Sequence, residues 1–223
     1  MFKAIIIGGT GATGKQLLIQ LIRNQNCELV TSIGRRSALD GEKNDKLVDI
    51  VVESLFKLTS TENYWKDNDV FFNCIGTTRQ RAGGAKEFIN IESGISNEAA
   101  KMAANAKIPH ASLISAKGAN HKIWAKDWIH PLLYMKTIGQ KEQTITSKFS
   151  FNSVSIFKPG MLIRLRGNQT WFEDFSQLKG FGLRVDTLAS AMIHDAERVR
   201  LGLVEKSPQF FIGNNNIKSS LEI

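Results

Sequence analysis

The residues with the clearest chemical use form the segment Ile7-Gly8-Gly9-Thr10-Gly11-Ala12-Thr13-Gly14-Lys15. A turn without β-carbons between a strand and a helix lets backbone N–H groups, with the positive helix end behind them, close on a pyrophosphate. The glycines fit two spacings. Gly9, Gly11 and Gly14 make GxGxxG, whereas Gly8, Gly11 and Gly14 make GxxGxxG. Both predict a bound dinucleotide, because an apolar run precedes the turn and a helix-period segment follows it. The competing reading is a glycine-rich turn that binds nothing. The discriminating position lies about 20 residues on, where a carboxylate would bond the ribose hydroxyls of an unphosphorylated cofactor. This chain has Ser32-Ile33-Gly34-Arg35-Arg36 there, with Arg35 21 positions beyond Gly14. Guanidinium groups grip a 2′-phosphate in bidentate fashion where a carboxylate would repel it. The expected cofactor is therefore NADP(H), the alternative being a solvated basic loop.

These residues need elements to hold them. Short apolar runs alternating with helix-period segments predict strands near 2–7, 28–33, 47–52, 69–75, 110–115 and 153–158, and helices near 14–24, 60–66, 86–106 and 132–148. That alternation predicts an α/β, Rossmann-type doubly wound parallel sheet. Past Pro159-Gly160 the alternation weakens, which predicts a small substrate-side lobe with a helix near 186–198 and a last strand at 209–212. Neither a repeat nor a linker is visible, so residues 1–223 are expected to form one dinucleotide-binding domain.

Composition narrows the classes. With 42% hydrophobic and 22% charged residues, and no run near the ~20 apolar residues a bilayer requires, no membrane span is expected. The first strand-like run starts almost at Met1, from which an intracellular protein without a transit peptide is expected. Cys27 and Cys74 stand 47 positions apart without metal-ligand spacing, so they are expected to be buried thiols and no metal site is expected. The net charge of +8 is dispersed and accompanied by no recognition motif, which makes nucleic acid an unfavoured partner.

Five segments together resemble one family: Gly8 to Gly14, Ile33-Gly34-Arg35-Arg36, Cys74-Ile75-Gly76-Thr77-Thr78-Arg79, Leu113-Ile114-Ser115-Ala116-Lys117-Gly118-Ala119, and Ser155-Ile156-Phe157-Lys158-Pro159-Gly160. They are similar to the Tat-interacting-protein family of atypical short-chain dehydrogenases, also called HTATIP-type oxidoreductases, over residues 2 to about 195. The resemblance implies an NADPH-bound Rossmann protein, a cytoplasmic location with the nucleus as a further one, and links to nuclear transport and transcription. It places Gly8, Thr10, Gly11, Ala12, Thr13 and Gly14 at the pyrophosphate, Arg35 and Arg36 at the adenosine phosphate, and Asp49 near the adenine. It sets Cys74, Ile75 and Gly76 beside the cofactor, Thr77, Thr78 and Arg79 along the ribose and nicotinamide, and Pro159 and Gly160 over the nicotinamide.

Short-chain dehydrogenases use a tyrosine as proton relay, a lysine four residues later that lowers its pKa, and a serine that orients the carbonyl. Ser115 and Tyr134 fit two of these roles. The lysine position holds Ile138 instead. Lys136 faces away, and Lys141 shares the face about 10 Å further along the axis. An unassisted phenol titrates near 10 and is a poor relay at neutral pH. Either Lys141 or Lys117 reaches in, or the chemistry is slow, or the cofactor is kept without turnover; Tyr134 could equally be an aromatic packed on the sheet. Between Ser115 and Tyr134, the i, i+4 pair Trp124 and Trp128 is expected to anchor a short helix to the core, the alternatives being a substrate wall or a partner patch. Two functions follow: an NADPH-dependent oxidoreductase of an unidentified small carbonyl-type substrate, or an NADPH-loaded regulator or scaffold whose partner is a protein.

Overall fold

A computed structural model describes residues 1–126, 128–164, 182–204 and 206–222. The strands are β1 (Phe2–Ile7), β2 (Cys27–Gly34), β3 (Leu47–Val51), β4 (Val70–Asn73), β5 (His110–Ile114), β6 (Ser153–Lys158), β7 (Leu162–Ile163), β8 (Leu183–Arg184) and β9 (Gln209–Ile212). The α-helices are α1 (Ala12–Arg23), α2 (Arg79–Ala82), α3 (Ala85–Ile89), α4 (Ser96–Asn105), α5 (His130–Ser147), α6 (Val185–Arg200) and α7 (Gly213–Ser219). Seven strands form one sheet in the order β3-β2-β1-β4-β5-β6-β9, and every pairing is parallel. This is the doubly wound Rossmann architecture expected from the alternation.

Parallel strands are covered on both faces, so they carry apolar residues at every position instead of alternating. In β1, Phe2, Ala4 and Ile6 pack with Leu17, Leu18 and Leu21 of α1 and with Leu188 and Met192 of α6. Ile5 and Ile7 point the other way, onto Ile95, Ala99 and Ala103 beside and within α4 and onto Ile145 of α5. The strand order reverses between β1 and β4, and at such a switch point the loops leaving the carboxyl ends part to leave a crevice.

Two helix expectations need correction. The segment expected as a helix at 60–66 is a 3-10 turn, Thr59–Tyr64, closed by the Trp65 indole donating to Thr61 Oγ1 at 2.9 Å. The segment 86–106 is not one α-helix, because a π-helical stretch, Asn90–Ile95, separates α3 from α4. Such insertions rotate the following side chains and occur often at functional sites. The expectation that Trp124 and Trp128 pin a helix to the core also fails. The described residues from 121 to 129 are turn and irregular chain, and the two indoles are 64% and 73% exposed. An i, i+4 spacing aligns side chains only where a helix exists.

Candidate functional site

The turn between β1 and α1 is built from backbone constraints. Gly8 has φ +87°, and a β-carbon there would lie 2.6 Å from the Cys74 carbonyl oxygen. A β-carbon on Gly14 would collide with the Gly8 carbonyl, and one on Gly11 would meet that same oxygen at 3.1 Å. A β-carbon on Gly9 would press on the rotatable Ser32 hydroxyl, at 2.9 Å, and make ordinary contact with the Ala38 β-carbon at 3.6 Å, with no backbone atom among these neighbours. The geometry therefore selects the GxxGxxG parse. Gly11 donates its N–H to Gly8 at 2.9 Å, and α1 starts with no side-chain cap and no acidic residue in its first turn. The bare N–H groups of Ala12 and Thr13 suit an anion.

Arg35 and Arg36 follow β2 and are exposed. Asp49 accepts hydrogen bonds from Ser37 Oγ at 2.7 Å and from Ala38 N at 2.9 Å, so it ties down the loop that follows the two arginines. Its other oxygen is buried without a hydrogen-bond partner among the described residues.

A cleft of 490 Å³ opens at the switch point, joining Gly11, Ala12 and Thr13 to Cys74 through Thr78, Ser115 and Tyr134. Its floor holds a buried ion pair that no local pattern announced. Lys141 Nζ lies 2.8 Å from the Ile75 carbonyl and 3.2 Å from Glu92 Oε2, while Glu92 Oε1 accepts the Thr77 N–H at 2.5 Å. Both side chains are at most 2% exposed. The loop after β4 is thus tied from beneath by α5 and the π-helical stretch.

The hydroxyl of Ser115 donates to Glu142, whose carboxylate is paired with Lys158 Nζ at 2.8 Å; Lys158 also donates to the Ala119 carbonyl at 3.0 Å. Because the serine proton is committed to a carboxylate, Ser115 has a lone pair to offer the cleft. Tyr134 is half-buried and stacks on Phe88, centroids 5.8 Å apart. Burial pushes its phenol above the usual range, the Glu92 carboxylate adds to this, and the Arg164 guanidinium opposes it.

Ile138 is buried and brings no charge. Lys141 reaches the cleft but is spent on Glu92 and Ile75. Lys117 is exposed and lines a neighbouring 370 Å³ cavity with Gly160, Met161 and Asn214. Neither lysine therefore stands in for the one replaced by Ile138. Gly160 likewise faces that neighbouring cavity, its N–H donated to Asn214 Oδ1 at 2.9 Å, while the Pro159 carbonyl holds Lys117 N at 2.7 Å. Residues 165–181, within the expected substrate-side lobe, lie outside the described residues. Sequence reasoning missed Glu92, Glu142, Lys158, Arg81 and Arg164; the available signal was an adjacent Lys141-Glu142 pair on a helix required to pack against the sheet. Both cysteines are free and buried, their thiols pushed up to about 11 at Cys27 and about 12 at Cys74 by desolvation. Among the described residues, no three His, Cys, Asp or Glu side chains converge as a metal site, and no helix is long and apolar enough to cross a membrane.

A separate 240 Å³ cavity at the amino ends of the strands, lined by Phe2, Asp69, His110, Ser153 and Arg200, is at the end of the sheet opposite the crevice. Beside it, His110 Nε2 stands 3.2 Å from Ser155 Oγ and 3.6 Å from Asp195. Burial pulls His110 down to about 4 and pushes Asp195 up to about 6, the latter opposed by the Ser155 hydrogen bond and Arg198. From pH 4 to 6.5 the histidine binds a proton only when unfolded, so its contribution raises stability with pH. From pH 4 to 6 the aspartate binds one only when folded, so its contribution lowers stability. The two oppose each other. In Asp195→Asn the unfolding free energy should climb with pH by about 3 kcal/mol more than in the native chain across this window. Parallel urea-denaturation profiles for the two proteins would refute this assignment.

No family model matches the sequence. Protein FMP52, mitochondrial, from Meyerozyma guilliermondii is 30% identical over 178 residues, covering 79% of this chain and 72% of that protein. Protein HTATIP2 from Rattus norvegicus is 31% identical over 158 residues, covering 71% of this chain and 62% of that protein. Among solved structures, the oxidoreductase ylbE from Lactococcus lactis superposes with a TM-score of 0.69 at 14% identity, covering 99% of this chain and 95% of that one. MoeE5 in complex with UDP-glucuronic acid and NAD gives a TM-score of 0.69 at 13% identity, covering 95% and 76%. The cytoplasmic and nuclear location expected from the sequence is overturned by the relatives. FMP52 proteins from Debaryomyces hansenii, Candida albicans and Scheffersomyces stipitis are also named mitochondrial. The position of the first strand says nothing about a receptor-read address.

Proposed function

Because the chain belongs to the HTATIP2- and FMP52-type family of atypical short-chain dehydrogenases, we propose that it is an NADP(H)-binding oxidoreductase of a small carbonyl-type substrate. The observation that carries this reading is the glycine cradle, in which a β-carbon at Gly8 or Gly14 would strike backbone. Backbone packed that closely beneath bare helix N–H groups fits a pyrophosphate. Solved structures of the same fold support it, since MoeE5 holds NAD. When bound, the cofactor supplies hydride; the protein supplies position and protons.

Gly11, Ala12 and Thr13 would hold the pyrophosphate, Cys74 to Thr78 the ribose and nicotinamide flank, and Arg35 and Arg36 the 2′-phosphate. Tyr134 would give its proton to the substrate oxygen. A phenol titrating above its usual range stays protonated at neutral pH and can donate, but it is a poor base. Carbonyl reduction should therefore be flat from pH 6 to 9. Alcohol oxidation should rise about tenfold per pH unit with no plateau below pH 10. A plateau near pH 7 would show a different base at work.

Calorimetry tests the cofactor assignment. NADPH should bind at least about tenfold tighter than NADH, and Arg35→Ala/Arg36→Ala should remove that preference while leaving NADH affinity unchanged. Equal affinities in the native chain would overturn it. The second reading, a cofactor-loaded regulator with a protein partner, is favoured by the buried Ile138 at the lysine position and by the two exposed tryptophans. Loss of turnover in Tyr134→Phe supports the oxidoreductase, whereas NADPH binding without turnover on any aldehyde, ketone or quinone supports the regulator.

A further inference from the structure

Among the described residues, the charges around the cleft do not balance. Its wall includes Arg81, Arg164 and Lys141 against one described carboxylate, Glu92. Glu92 is consumed by Lys141 at 3.2 Å, which leaves two guanidiniums. Among the described residues neither Arg81 nor Arg164 has a carboxylate within ion-pair distance. Arg164 follows β7 and is half-buried; taking part of a guanidinium out of water without a counter-ion is unfavourable and is relieved by an anion. Arg81 is exposed on α2, whose first turn is fixed by Thr78 Oγ1 accepting the Arg81 N–H at 3.3 Å. The field of Arg164 reaches the Tyr134 phenol, so the guanidinium belongs to the reacting end of the cleft. Ile114, Pro131, Met135, Ile138, Leu162 and Val185 give the cleft an apolar stretch of wall beside its polar residues.

We propose that the cleft takes a substrate with an apolar body bearing the carbonyl and a carboxylate or phosphate at one end, held by the guanidiniums of Arg81 and Arg164. This rests on the oxidoreductase reading and assigns its substrate class. Planar forks of donors match both anions, and a bidentate pair gives direction as well as energy. The same chemistry could be drawn to the pyrophosphate of the cofactor, so the test separates the two.

The probes are phenylpyruvate against phenylacetone, in which a methyl replaces the carboxylate, and glyceraldehyde 3-phosphate against glyceraldehyde. Each is titrated by calorimetry into the NADPH-saturated protein and into the protein alone. A charged probe should bind the saturated protein about tenfold or more tightly than its neutral counterpart. Arg164→Met should erase that preference, Arg164→Lys should keep part of it, and Arg81→Met should weaken it, all with NADPH affinity unchanged. Arg81 is exposed and Arg164 half-buried, and a circular dichroism melt confirms that each variant folds. Equal binding of charged and neutral probes, or no binding of either, overturns the proposal. An Arg164→Met variant that loses NADPH affinity but keeps its anion preference also overturns it and assigns the guanidinium to the cofactor. If NADPH itself fails to bind, the oxidoreductase reading falls, and the protein-alone titrations still decide whether the anion seat exists.

Discussion

Alanine at Gly14 is expected to abolish NADP(H) binding, with at least about a hundredfold loss by calorimetry, while the sheet survives by circular dichroism. The added methyl would occupy the place of the Gly8 carbonyl, which is backbone and cannot rotate aside. Gly8 is itself held by φ +87° and by contact with Cys74, so relief must come from lifting the whole turn off α1. The Gly11 N–H to Gly8 bond at 2.9 Å would be lost with it. Gly9→Ala is the control: the one tight contact of its methyl is with the Ser32 hydroxyl, a side-chain group that can turn away, and the expected loss is under about threefold. Equal damage from both substitutions would mean that the cradle does not bind by close backbone approach.

Lys141→Met should cost about 3–5 kcal/mol of unfolding free energy, because it leaves the Glu92 carboxylate buried without its cation. Among the described residues, Glu92 then keeps only the Thr77 N–H as a donor. Lys141→Met/Glu92→Gln removes the stranded charge and should recover most of the loss, since an amide oxygen can still accept the Thr77 N–H. Urea denaturation of the two variants decides the matter. If the double variant is no more stable than the single one, the ion pair is not what holds the loop. Cofactor affinity should fall in the single variant as well, because the Thr77 N–H and the Ile75 carbonyl flank the cleft.

The missing lysine has a tertiary explanation. A cation at position 138 would sit where the chain buries isoleucine, and the phenol of Tyr134 instead feels Arg164 from the segment after β7. The charged side chains of α5 that do point inward, Lys141 and Glu142, serve two separate networks, one under the β4 loop and one behind Ser115.

What the residues alone determined were features set by neighbours in the chain. The glycine turn needs missing β-carbons at fixed intervals; the strands need apolar runs; and the alternation of the two dictates a doubly wound parallel sheet, as found. Arg35 and Arg36 were placed after β2 by counting from Gly14. Tertiary structure alone decided which glycine triplet the turn requires, because the obstructing atoms at Gly8 belong to Cys74, 66 residues away. It also paired Lys141 with Glu92, 49 residues apart, and Glu142 with both Ser115 and Lys158. A charge on a helix reads the same in sequence whether it faces water or a partner. Only the packed sheet supplies the partner and removes the water. The exposed Trp124 and Trp128 show the reverse case, in which helix-like spacing had no helix beneath it.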